Sequence, residues 1–205
     1  MRSAMQAYIR AIERMNRAIG RVAMYLIFVL MAVLIWSSLS KTVFAPSPWT
    51  LETAQFVMVA YFVLGGPYAI QMGSHVRMDL FYGDWSPRTK AMIDGLTVFF
   101  LLFYLGVLFT GAVSSTAYAL GYFGMEPFAF FGDLAATLVT EGPEAVQDKL
   151  GFLERSATAW RPPLWPIKGV LCVGVMLMIL QCVAEFFRDL ERLRAGDGDG
   201  DGDVA

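Results

Sequence analysis

Few residues in this chain are of types that do chemistry, and their spacing restricts what they could do. The only histidine, His75, lies close in sequence to Asp79. That is the single acid–base pairing on offer, and one histidine cannot furnish a bis-histidine haem. Cys172 and Cys182 are ten residues apart, about 15 Å along a helix axis, too far to bridge each other. They read as packed or lipid-facing thiols. Asp197, Asp199, Asp201 and Asp203 imitate the first half of a calcium loop. The bidentate acid that such a loop needs at its twelfth position would fall beyond Ala205, so residues 195–205 read as a disordered acidic tail. No H-E-x-x-H, G-x-S-x-G or Walker A pattern occurs. The chain is expected to be no enzyme and to hold no metal or cofactor.

The elements that carry these residues are apolar. Of 205 residues, 57% are hydrophobic and only 17% charged, against about 25% charged in soluble domains. Mean hydropathy is +0.53. One soluble core of this size could not hide that much apolar surface. The net charge of −2 leaves no basic surplus for nucleic acid. An all-α integral membrane protein remains. Runs free of Asp, Glu, Lys and Arg cover 22–40, 53–74, 95–125 and 169–184. A bilayer core about 30 Å thick needs roughly 20 such residues. Four transmembrane helices are expected at about 22–43, 50–74, 90–122 and 164–187, within one membrane domain over 1–190. With the N-terminus inside, the inner segments hold eleven Lys and Arg and the outer ones five. Both termini should therefore be cytoplasmic.

Residues 4–21 are amphipathic at helical period. Met5, Tyr8, Ile9, Ile12, Met15 and Ile19 form one stripe, and Arg10, Arg14, Arg17 and Arg21 recur opposite. This predicts an N-terminal amphipathic helix flat on the inner leaflet. Its arginines would meet either anionic headgroups of the bilayer or a partner protein.

Span two has Ser47 as a candidate cap, Pro48 at a first helical position and Glu52 in the first turn. Gly65-Gly66-Pro67 predicts a bend with room for a close helix neighbour. The outer segment 126–163 mixes six acids with many large apolar residues, so it should lie against membrane or protein. A short helix is expected to start at Pro143. The uncharged runs carry no ionisable group where a carrier would need one, which points to a membrane-embedded helper.

Three stretches together resemble a known family. The first is Leu51-Glu52-Thr53-Ala54. The second runs from Gly65-Gly66-Pro67-Tyr68-Ala69 through His75-Val76-Arg77-Met78-Asp79 to Ser86-Pro87-Arg88 and Ile93-Asp94. The third is Ser156-Ala157-Thr158-Ala159-Trp160 with Pro163-Leu164-Trp165-Pro166-Ile167-Lys168. Over about 20–190 the chain resembles the small membrane subunit, DctQ type, of tripartite ATP-independent periplasmic (TRAP) transporters. The resemblance implies a multi-pass scaffold subunit in a bacterial inner membrane. Its partners would be a large polytopic membrane subunit and a periplasmic substrate-binding protein. It also implies sodium-coupled uptake of organic acids or related solutes, with sodium belonging to the large subunit. Glu52, His75, Arg77 and Asp79 match recurrent polar positions of the family, and with Gly65, Gly66 and Pro67 they are candidates for packing or subunit contact. The long outer segment departs from the family pattern. A membrane anchor for a redox or signalling assembly is the alternative reading.

Overall fold

The computed structural model describes residues 2–72 and 87–196, with side chains over 5–72 and 97–188. Among the described residues six helices follow one another: α1 Arg2–Val43, α2 Thr50–Gln71, α3 Pro87–Ala119, α4 Pro127–Thr140, α5 Pro143–Lys149 and α6 Trp165–Gly196. No strand is present among the described residues. Four of the described segments are long and apolar enough to cross a membrane: Met5–Val43, Thr50–Gln71, Thr97–Ala119 and Trp165–Arg188.

The first helix differs from expectation. No break separates the amphipathic stretch from the first span, and α1 runs unbroken for 42 residues. That is roughly 63 Å, about twice the bilayer core. No proline interrupts residues 2–43, and the only glycine there, Gly20, serves a close approach. A Cβ at Gly20 would lie 2.5 Å from the Tyr68 side chain on α2. Span two also starts differently. Ser47 does not cap it; Trp49 occupies the cap position without a side-chain hydrogen bond. Thr50 instead donates to the Ser47 carbonyl at 3.0 Å and contacts Ser37 Oγ of α1 at 3.2 Å.

The spans form a layer more than a closed bundle. In the layer α2 packs between α1 and α6, and α6 packs between α2 and α3. Leu105, Val175 and Cys182 form the buried core, flanked by Ile70, Leu101, Phe109, Leu171 and Met178. Helix α1 lies against residues 180–188 of α6 and then passes the end of α2 at Gly20. Both described chain ends therefore lie at one side, here the terminal end. The segment between α3 and α6 lies at the other, the loop end.

At the loop end α3 stops at Gly121, whose φ of +86° suits glycine alone. Tyr122 N–H donates to the Ala117 carbonyl and Gly121 N–H to Tyr118, closing the helix with a Schellman motif. Helix α4 begins with Pro127 in its first turn. Helix α4 is not foreshadowed in the sequence, where the one helix start expected in the outer segment is Pro143. Lys149 staples α5 to α4, reaching Asp133 at 2.8 Å and Thr137 Oγ1 at 2.7 Å. Its side chain and that of Asp133 are 38% and 62% exposed, so Lys149→Met should cost less than about 1 kcal/mol. Its melting temperature in detergent should stay within about 3 °C of the parent; a larger drop would make the staple structural.

Candidate functional site

The polar side chains gather at the two ends of the layer. At the loop end the backbone makes the first links. Gly151 N–H donates to the Leu120 carbonyl at 3.1 Å and Glu154 N–H to the Ala119 carbonyl at 3.0 Å. These carbonyls end α3 and have no donor within the helix. The chain then turns through a short hairpin, where Ser156 N–H donates to Pro162 and Leu164 N–H donates to Glu154. That hairpin brings Ser156 and Thr158 over the start of α2. Both hydroxyls donate to Glu52 Oε1. Glu52 is 3% exposed, and its Oε2 has no hydrogen-bond partner among the described residues. Beside it Lys168 pairs with Glu154 at 2.5 Å and lies 5.8 Å from the Tyr118 ring centroid. The segment 150–164 thus joins the ends of α2, α3 and α6.

Glu52→Ala should free that segment from α2 while leaving its backbone bonds to α3 intact. Two hydrogen bonds to Glu52 Oε1 are lost. Amide hydrogen exchange at residues 155–160 should accelerate about tenfold. Unchanged protection there would show that the carboxylate does not hold the hairpin.

At the terminal end α1 is clamped to α6. Asn16 Nδ2 donates to Gln181 Oε1 at 2.7 Å, and Gln181 Nε2 donates to Glu185 Oε1 at 3.0 Å. Asn16 and Gln181 are almost wholly buried. Arg188 donates to both Glu185 oxygens, at 2.8 and 2.7 Å, and pairs with Glu13. Tyr8 adds an O–H bond to the Leu180 carbonyl at 3.2 Å and an edge contact with Phe187. A carboxamide pair and a carboxylate–guanidinium triad thus replace apolar packing where two helices meet.

The small-residue positions sort themselves by neighbour. Gly65 faces open space. A Cβ at Gly66 would meet the Met178 sulfur at 3.2 Å. Pro67 is buried inside α2, and it removes the donor that the Val63 carbonyl would otherwise receive. Gly174 of α6 lies against that residue: a Cβ there would be 2.1 Å from Val63 Cγ1 and 2.9 Å from the Val63 carbonyl oxygen. Arg10, Arg14, Arg17 and Arg21 are exposed on α1. His75, Arg77 and Asp79 lie outside the described residues. Cys182 is buried, and Cys172 contacts Thr116 Oγ1 at 3.4 Å. Among the described residues no group of three or more His, Cys, Asp or Glu could hold a metal.

Sequence reasoning missed the partners of Glu52, the clamp at Asn16 and the close approach at Gly174. Asn16 carried a signal. It lies seven residues after Ile9, four after Ile12 and three before Ile19, on the apolar stripe of α1.

Residues 30–192 match the family described as tripartite ATP-independent periplasmic transporters, DctQ component. No curated protein and no solved structure matches the chain. The matched segment takes in all of α2, α3 and the loop end, with the last third of the span Met5–Val43 and all of the span Trp165–Arg188. By that match, and with four helices fit to span a membrane, the chain belongs to the DctQ family, the small permease component of TRAP transporters.

Proposed function

We propose that the chain is the scaffold subunit of a sodium-coupled, binding-protein-dependent importer of organic acids or related small solutes. It supports a large translocating subunit in a bacterial inner membrane, with the terminal end cytoplasmic and the loop end periplasmic. Its own residues do no chemistry and hold no sodium; sodium belongs to the large partner. The family match carries this reading. The distribution of polar groups supports it. The middles of the four spans lack Asp, Glu, Lys and Arg, whereas a substrate or ion path places such groups there. The described charged clusters serve instead to lock helix ends.

The loop end is the docking surface for the soluble binding protein in this reading. Leu138 and Val139 of α4 and Phe152 beyond α5 are exposed there, apolar side chains that a docked protein would cover.

Affinity purification of the tagged chain in mild detergent, with identification of what accompanies it, is the first test. A polytopic partner in equal amount and sodium-driven uptake in reconstituted vesicles are expected. Recovery with redox or signalling subunits would favour the anchor reading. Shortening 127–149 should lower uptake while the membrane complex survives; full uptake would remove the docking role.

A further inference from the structure

Arg10, Arg14, Arg17 and Arg21 stand exposed along α1. At 100° per residue they fall within roughly 60° of one another, over about 17 Å of axis. None is paired with a carboxylate among the described residues. Arg10 Nε donates to the Gln6 carbonyl at 3.2 Å. The neighbouring acids Glu13 and Glu185 are engaged by Arg188. Among the described residues, four guanidinium groups without a carboxylate partner therefore share one surface.

Two observations say what that surface meets. The same face continues along α1 as Met24, Tyr25, Phe28, Met31 and Ile35, all exposed. It changes from cationic to apolar at residue 22, as a surface does where it passes from headgroups into acyl chains. The second observation is the level at which α1 is held. Tyr8 bonds to the Leu180 carbonyl and Asn16 bonds to Gln181. Residues eight apart on α1, about 12 Å along its axis, thus meet adjacent residues of α6. Tyr8 also contacts the Phe187 ring and Glu13 pairs with Arg188, so this stretch of α1 lies against residues 180–188 of α6. The arginines are kept level with the last turns of span Trp165–Arg188. An arm reaching for a soluble partner would hold them clear of the spans.

We propose that Arg10, Arg14, Arg17 and Arg21 form a binding site for the phosphate headgroups of anionic phospholipids. Guanidinium groups bind phosphate oxygens in bidentate fashion, and Met24, Tyr25 and Phe28 line the path of the attached chains. The site does not depend on the transport reading.

The test uses the full chain, purified in mild detergent with whatever subunits it retains. It is exposed to phosphatidylglycerol and phosphatidylethanolamine together, and the lipid that stays bound is read by native mass spectrometry. Phosphatidylglycerol should be retained at least about fivefold over phosphatidylethanolamine. A variant with all four arginines changed to Gln should lose that preference, and one with all four changed to Lys should keep most of it. Equal retention by the parent, or undiminished preference in the Gln variant, overturns the proposal. Should the Gln variant not fold, the parent decides alone: its preference must fall as salt is raised, and a flat response overturns the site. Preference that appears only after removal of 197–205 assigns the stripe to the chain's own acidic tail. Displacement of phosphatidylglycerol by an acidic protein that needs the same arginines assigns it to that protein. Either result overturns the lipid site in the intact chain.

Discussion

Gly174→Leu should unfold the layer at its centre. The new side chain would be driven into Val63, including its carbonyl, and backbone cannot move aside as a flexible side chain can. Overpacking of this kind costs about 3 kcal/mol when α2 and α6 must separate. The melting temperature in detergent should fall by roughly 6–12 °C, with loss of any complex that depends on the α2–α6 pair. Gly65→Leu is the control. Gly65 has nothing within 4 Å, so the chain's own melting temperature should hold within about 2 °C. Gly66→Leu should fall between them, because Met178 can change rotamer. Equal losses from Gly65→Leu and Gly174→Leu would refute the close approach as the cause. Loss of a co-purifying subunit from Gly65→Leu alone would place that glycine against the partner.

The second large effect is expected at Arg188. Arg188→Ala leaves Glu13 and Glu185 facing each other without their shared cation. The three side chains are between 19% and 29% exposed, so the loss is smaller than for a fully buried pair. A cost of about 2 kcal/mol is expected, read as a melting shift of roughly 4–8 °C. Arg188→Lys should recover part of it. Arg188→Ala combined with Glu185→Ala should be less damaging than Arg188→Ala alone, since the repulsion goes with the second acid. Additive losses would show that the triad is not a coupled unit.

What the sequence made legible, and what it hid, follow from the range of each signal. The apolar runs marked the four spans because burial in lipid demands length and composition, and both are local. Orientation toward neighbours is not local. Glu52 was noticed as an acid in a first turn, yet its donors Ser156 and Thr158 lie 104 and 106 residues away. Nothing in the spacing pairs them. Gly65-Gly66-Pro67 stands out as a small-residue patch, while the tighter glycine is Gly174, set between Val173 and Val175 of α6. The unbroken α1 was legible in principle, since no residue between Arg2 and Val43 stops a helix. The change of face character at residue 22 imitated an element boundary. Helix α4 was hidden by its composition: Pro127 opens it, but an apolar stretch among acids also fits a surface-lying coil.

The layered arrangement of the spans has a consequence in area. Helices packed side by side lie 8–10 Å apart, so four of them make a slab roughly 35 Å wide. Over a hydrocarbon core of about 30 Å, each broad side offers on the order of 1,000 Å². Stable protein interfaces take about 800 Å² from each partner. A closed four-helix bundle turns its inner sides inward and would have to open to offer as much. In this chain α6 is flanked by α2 and α3 and met by α1 at residues 180–188, which leaves the rest of the layer's sides open. A second membrane protein can cover one side while lipid keeps the other, and neither contact requires a helix to move.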